Sequence, residues 1–107
     1  MHAVVAVALV LVHGVVLRGP TKPACSMTEP CSEPAAGAVL VLHRGSRIAA
    51  RVHVPRGGRY SVRLAPRRYV VTVVPPARLG SGVSPTTVVV PRTASVRRDF
   101  LIDTGIR

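Results

Sequence analysis

The triplet Asp103-Thr104-Gly105, close to the carboxyl end, is of the kind that presents the catalytic carboxylate in aspartic proteases. Such an enzyme brings two triplets together, because two adjacent carboxylates acquire different pKa values and so supply one acid and one base. This sequence holds one triplet, so a protease would have to be a homodimer, and only Ile106 and Arg107 remain to line its cleft. We therefore interpret Asp103 as the end of a last strand, followed by an Asx-type or Thr-Gly turn.

The other nucleophiles and bases show no spacing that favours catalysis. The histidines fall in different predicted elements and are interpreted as surface or strand-edge residues: His2, His13, His43 and His53. The serines lack the strand-turn-helix context of a nucleophile elbow. The sequence therefore predicts no catalytic residue, no cofactor and no metal site.

The chain has two cysteines, Cys25 and Cys31, in the proline-bounded loop PACSMTEPC. No third cysteine or nearby histidine completes a zinc site, and the spacing is not that of a Cys-x-x-Cys redox motif. If the chain is exported, we expect a disulfide bond that closes this small loop. In a reducing cytosol the two residues would remain thiols.

The formal net charge of +11 comes almost entirely from arginine, with Lys22 as the one lysine. We attribute this bias mainly to GC-rich coding. Five arginines are predicted to project outward from consecutive strands: Arg47, Arg51, Arg59, Arg63 and Arg68. A solvated basic face is the favoured interpretation. The alternative is an anion-binding face for anionic envelope polymers or nucleic acid, without sequence specificity because no aromatic residue is left to stack on bases.

An apolar run over residues 3–12, AVVAVALVLV, begins the chain. It is too short for a transmembrane helix but matches the apolar region of a signal peptide. Three interpretations stay open: a weak export signal, a signal truncated by a misplaced start, or a buried strand continuing into HGVVLRG. We favour export, with a cytoplasmic location as the alternative. Residues 1–12 are thus a signal-peptide remnant or an extended first strand, and residues 13–107 form one domain.

Alternating apolar and polar residues, interrupted by glycine and proline, predict an all-β fold of about seven antiparallel strands and no helix. The expected strands include 13–18, 86–90 and 95–103, with an irregular loop over 19–36. In the hairpin around Arg44-Gly45-Ser46, Ile48 and Val52 are expected to face the core. So are Tyr60, Tyr69 and Phe100, while Gly58 belongs to a turn. The predicted architecture is a single Greek-key β-sandwich.

Three segments carry a resemblance to a known family: Gly37-Ala38 at the start of a strand, the turn Pro55 to Tyr60, and Leu64-Ala65-Pro66-Arg67-Arg68-Tyr69. In this order they resemble the carboxypeptidase regulatory-like domain family. The segment Gly19 to Cys25 and the closing Asp-Thr-Gly-Ile-Arg are similar to a small exported actinobacterial subgroup. The resemblance covers nearly all of residues 14–107.

The resemblance implies an immunoglobulin-like or transthyretin-like sandwich. It departs from the family at the turn, where Pro55 and Gly57 replace acidic residues, so a cation bound there by relatives is not expected here. Tyr69 is expected to act as a tyrosine corner, with its ring in the core and its hydroxyl bound to the turn backbone. The functional expectation is a non-catalytic, exported module with a structural or protein-interaction role, whose partner and oligomeric state the sequence leaves open.

Overall fold

The computed structural model describes residues 8–20, 31–74 and 82–104. These residues are all-β and contain no helix, which confirms the predicted fold class. They form ten strands: β1 Val10–Gly19, β2 Glu33–Pro34, β3 Val39–Arg44, β4 Arg47–His53, β5 Arg59–Leu64, β6 Arg68–Val74, β7 Val83–Ser84, β8 Thr87–Val89, β9 Ser95–Arg97 and β10 Phe100–Asp103. The strands build two sheets packed face to face as a β-sandwich.

The first sheet is organised around β1, whose ten residues have neighbours along both edges. One edge pairs antiparallel with β5 and then with the short β2. The other edge pairs in parallel with β9 and then with β10, which in turn pairs with β7. Because β1 is central and nearly continuous in apolar residues, it contributes side chains to both faces of this sheet.

The second sheet has the strand order β4-β3-β6-β8 and is antiparallel throughout. Its central strands β3 and β6 alternate so that Leu40, Leu42, Val71 and Val73 point into the sandwich and are buried. Tyr69, at the start of β6, is also buried there. The period-two alternation of β6 is complete over its seven residues, as a strand with one buried face requires.

The core between the two sheets is aliphatic, with three aromatic rings. Val10, Val12 and Val16 of β1 face it from the first sheet and are at most 1% exposed. The rings of Tyr60 and Phe100 are also buried, with centroids 5.9 Å apart in a tilted arrangement. No polar or charged residue of the described ranges is buried, so the core consists of close-packed apolar and aromatic side chains.

β9 and β10 follow one another beside the same edge of β1, in a single register. They are separated by a two-residue break at Arg98-Asp99, which we call the crossover. The Arg98 amide donates to the His13 carbonyl oxygen at 2.8 Å, and the Asp99 carboxylate then accepts from the Val15 amide at 2.9 Å. Gly14 lies opposite this crossover. A Cβ atom there would lie 2.2 Å from the Arg98 carbonyl oxygen and 2.6 Å from Asp99 Oδ1. The crossover therefore requires glycine at position 14.

Four local predictions were wrong. Strand 95–103 divides at the crossover, and the loop predicted over 19–36 contains β2, an edge strand, where Pro34 is tolerated. The pairing of β1 with β9 and β10 is parallel, although an antiparallel sandwich was expected. A β-bulge between Leu42 and His43 shifts the register of β4, so Ile48 faces outward and is 45% exposed.

Candidate functional site

The outer face of the first sheet gathers basic side chains from three neighbouring strands. In the ladder, His13 pairs with Arg97 on β9, Val15 pairs with Arg59 on β5, and Leu11 pairs with Arg63. Paired residues project from the same face, so the Cβ atoms of the three arginines surround that of His13 at the spacing of adjacent strands, about 5 Å, and their diagonals, about 7 Å. We call His13, Arg59, Arg63 and Arg97 the basic face.

One carboxylate, Asp99, lies beside the basic face and is already engaged. Arg97 Nε donates to Asp99 Oδ1 and Oδ2 at 3.1 and 3.2 Å, and the Val15 amide donates to Oδ1. The amide hydrogen bond, followed by the one from Arg97, holds the pKa of Asp99 below its usual value. The side chains of Arg59 and Arg63 make no hydrogen bond or ion pair with the described residues.

A depression of about 320 Å³ opens in the basic face beside Gly14. Its charged lining is Arg59 and Arg97, and His13 lines it between them. Tyr60 also borders it, and its hydroxyl donates to the Arg98 carbonyl oxygen across the crossover. Burial, with a smaller effect from Asp99, raises the pKa of Tyr60, so this hydroxyl stays protonated and keeps its structural bond. The charged groups available to a ligand here are therefore cationic.

The five arginines predicted to share one face are divided between the sheets. Arg59 and Arg63 lie on β5 in the first sheet, whereas Arg47, Arg51 and Arg68 lie on β4 and β6 in the second. Arg51 and Arg59 border a second depression of about 300 Å³ where the edges of β4 and β5 meet. Arg68 is separated from these groups, since it pairs with Val89 on the opposite outer face.

Sequence reasoning missed two members of the basic face, His13 and Arg97. The sequence did contain a sign that each side chain points outward: His13 is a polar residue within the apolar stretch of β1, and Arg97 alternates with Val96. What the pattern did not contain is the parallel pairing that brings β9 beside β1. Without that pairing the two residues belong to opposite ends of the chain.

The outer face of the second sheet is apolar, which alternation alone did not predict. Its exposed aliphatic residues, between 45% and 53% exposed, are Ile48, Val70, Val74 and Val89; we call these the apolar face. At its centre His43 Nε2 and Thr72 Oγ1 are 2.8 Å apart and form a hydrogen bond. The strands β3, β4, β6 and β8 contain no Asp or Glu. The apolar face is therefore bordered by arginine and by no carboxylate of its own strands.

The triplet considered for catalysis lies at the end of a strand. Asp103 is the last residue of β10 and pairs with Gly19, and its amide donates to the Gly82 carbonyl oxygen at 2.8 Å. Thr104 Oγ1 donates to the Pro20 carbonyl oxygen at 2.6 Å. Gly105 lies outside the described residues. Asp103 and Thr104 thus fasten the end of β10 to the end of β1.

Cys31 is disulfide-bonded. The predicted partner, Cys25, lies outside the described residues. Cys31 also borders a cavity of about 540 Å³ on the first sheet, lined mainly by apolar groups that include Leu17 and Leu101. Within the described ranges, no three His, Cys, Asp or Glu side chains are grouped as a metal site would need.

The predicted structural residues occupy turns and core positions. The Tyr69 hydroxyl donates to the Ala65 carbonyl oxygen at 2.6 Å, the arrangement of a tyrosine corner. Gly58 has a φ of +79°, and its carbonyl oxygen accepts from the Val16 amide at 2.7 Å. An added Cβ at Gly58 would lie 3.0 Å from both Pro34 Cβ and the Val16 oxygen. These residues hold the fold and take no part in either outer face.

Comparisons with protein-family models, with curated proteins and with solved structures found no match. The resemblance to the carboxypeptidase regulatory-like domain family, and the Greek-key and immunoglobulin-like details that it implies, therefore stay predictions. In residues 8–20, 31–74 and 82–104 there is no helix with the length and hydropathy of a membrane span.

Proposed function

We propose that this chain is a non-catalytic, exported β-sandwich module that docks on another protein through the apolar face. The observation that carries this proposal is the half exposure of Ile48, Val70, Val74 and Val89 on one outer sheet surface. Together they leave on the order of 300 Å² of aliphatic surface open to water, distributed around the His43–Thr72 hydrogen bond; exposed apolar groups gathered on one surface mark interaction sites.

The chemistry around the apolar face selects the kind of partner. Arg51 and Arg68 project from the same outer surface, and its four strands carry no carboxylate. A complementary partner has an apolar patch bordered by aspartate or glutamate. A second copy of this chain would place arginine against arginine, and each copy carries a net charge of +11. The partner that fits this face is therefore a different, acidic protein.

The non-catalytic part of the proposal is supported by the placement of the reactive groups. Asp103 ends β10, and His43 is hydrogen-bonded to Thr72 on the opposite sheet. The carboxylate beside His13, Asp99, is held by the Val15 amide and by Arg97. Export is supported by the disulfide bond of Cys31, since such bonds persist in oxidising compartments. N-terminal sequencing of the protein recovered from culture supernatant and from cytosol tests export directly: a mature form found only in the cytosol would contradict it.

The docking test uses a photo-reactive residue at Val70, with the same residue at Ser61 on the other sheet as the matched control. A crosslinked protein is then purified and its binding to the whole chain is measured by calorimetry. We expect Val70→Thr and Val89→Thr each to weaken binding several-fold. For the parent chain, added salt should weaken binding because charges are screened, and the heat capacity change of binding should be negative because apolar surface is buried. Crosslinking only to a second copy, or no more crosslinking at Val70 than at Ser61, would refute docking on an acidic partner.

A further inference from the structure

The basic face offers a binding function that is separate from docking through the apolar face. Arg59 and Arg97 border the depression beside Gly14, with His13 between them. The Asp99 carboxylate is held by the Val15 amide and by Arg97, so it balances one positive charge. Arg59 and Arg63 have no partner among the described residues. The face thus presents uncompensated guanidinium groups to solvent.

The spacing along β5 indicates a ligand longer than one anionic group. Arg59 and Arg63 point outward from the same strand, four residues apart, which is roughly 13 Å along an extended backbone. A single phosphate group is much smaller than that separation. A chain of phosphates, by contrast, can place one group in the depression and another beside Arg63.

The geometry of the depression favours a tetrahedral oxyanion. Arg59 projects from β5 and Arg97 from β9, on opposite sides of β1. Phosphate oxygens point in several directions, so one phosphate can accept hydrogen bonds from the planar fork of Arg59 and from the terminal amino groups of Arg97, whose Nε already donates to Asp99. No Phe, Tyr or Trp lies among the outward positions of β1, β5 and β9, so the bases of a nucleic acid would find no large ring to stack on.

We propose that the basic face binds a linear phosphate polymer, with one phosphate held between Arg59 and Arg97 and a further phosphate at Arg63. His13 lies on β1 between the strands of the two arginines and lines the same depression. Sulfated polysaccharides share the tetrahedral oxyanion chemistry, so the test includes them as a separate probe.

The test measures binding of the whole chain to inorganic polyphosphate at several salt concentrations. Arg59→Gln and Arg63→Gln are each expected to lower affinity about tenfold, as loss of a charge-assisted contact does. Each should also reduce the slope of log affinity against log salt by about one, because one fewer phosphate is neutralised. Arg68→Gln makes the same charge change on the opposite sheet and should lower affinity less than about twofold.

Folding of each variant is checked by its thermal unfolding, which should match that of the parent because all three side chains are exposed. Inorganic orthophosphate should compete only at far higher phosphate concentration than polyphosphate. Equal losses in all three variants would show a net-charge effect and overturn the proposal. A loss of affinity in Arg59→Gln alone would show a site for a single oxyanion and would contradict binding of a polymer. Tighter binding of heparin than of polyphosphate would assign the site to sulfated polysaccharide instead.

Discussion

Replacement of Gly14 by alanine tests the crossover on which the first sheet depends. The added Cβ would lie 2.2 Å from the Arg98 carbonyl oxygen, 2.6 Å from Asp99 Oδ1 and 2.8 Å from the Arg98 carbonyl carbon. Two of these atoms belong to backbone, which cannot rotate away as the end of a long side chain does. The chain must therefore move β9 and β10 away from β1, or unfold.

The size of the expected loss in stability follows from the contacts that such a movement breaks. Overpacking a tight site costs about 1–3 kcal/mol. The displaced crossover also loses hydrogen bonds from the Tyr60 hydroxyl to Arg98 and from the Val15 amide to Asp99, at about 1 kcal/mol each. We expect Gly14→Ala to lower the free energy of unfolding by about 3–5 kcal/mol, a large share of the roughly 5–15 kcal/mol typical of a domain. The fall in Tm should be about 15 °C or more.

Equilibrium unfolding in urea, followed by circular dichroism, measures this loss. Gly57→Ala is the matched control, since nothing lies within 4 Å of a Cβ there and its φ is not in the left-handed region. That variant should be neutral or more stable by up to about 1 kcal/mol, because alanine restricts the unfolded chain. If Gly14→Ala unfolded at the same urea concentration as Gly57→Ala, the described approach of Arg98 to β1 would be incorrect.

Three further predictions concern single side chains. Tyr69→Phe removes the hydroxyl that donates to Ala65 and should cost about 1 kcal/mol in urea unfolding, with polyphosphate binding unchanged. Loss of that binding would contradict a purely structural role. The folded pKa of Asp99 lies below the unfolded value of 3.8, so its contribution to stability is present above that value and is lost as the pH falls through the folded pKa. Unfolding of Asp99→Asn at neutral and acid pH should therefore show a smaller acid loss than the parent, and an identical loss would refute the assignment. Burial raises the pKa of both Tyr60 and Tyr69 above 10.0, so the midpoint of each tyrosinate absorbance change should lie above pH 10 in the folded protein. A midpoint at or below pH 10 for either residue would show that its ring is not held in the core.

The sequence predicted the inward-facing residues correctly where one face of a strand is buried and the other is exposed to solvent. The alternation of Tyr69, Val71 and Val73 in β6, and of Tyr60 and Leu64 in β5, assigned the correct inward face. Burial of every second residue leaves a period of two that needs no knowledge of neighbouring strands.

Features that depend on strand pairing were beyond the sequence pattern. The bulge opposite Leu42 and His43 turns Ile48 outward, because the extra residue Ala49 on β4 reverses the alternation on its far side. The basic face needs β9 and β5 on opposite sides of β1, a pairing between segments far apart in the chain. The predicted stripe of five arginines assumed that consecutive strands share a sheet, whereas β4 and β5 belong to different ones.

The central position of β1 has a consequence for how the molecule is made. During synthesis this aliphatic segment emerges before the other described strands, whereas its parallel neighbours β9 and β10 emerge after β2 to β8. Val15 and Asp99, which meet at the crossover, are 84 positions apart. Formation of the first sheet thus has to close nearly the whole chain into a loop, which is slow compared with local pairing. Until β9 and β10 have been synthesised, the edge of β1 that pairs with them remains open, and a chaperone has the opportunity to bind it there.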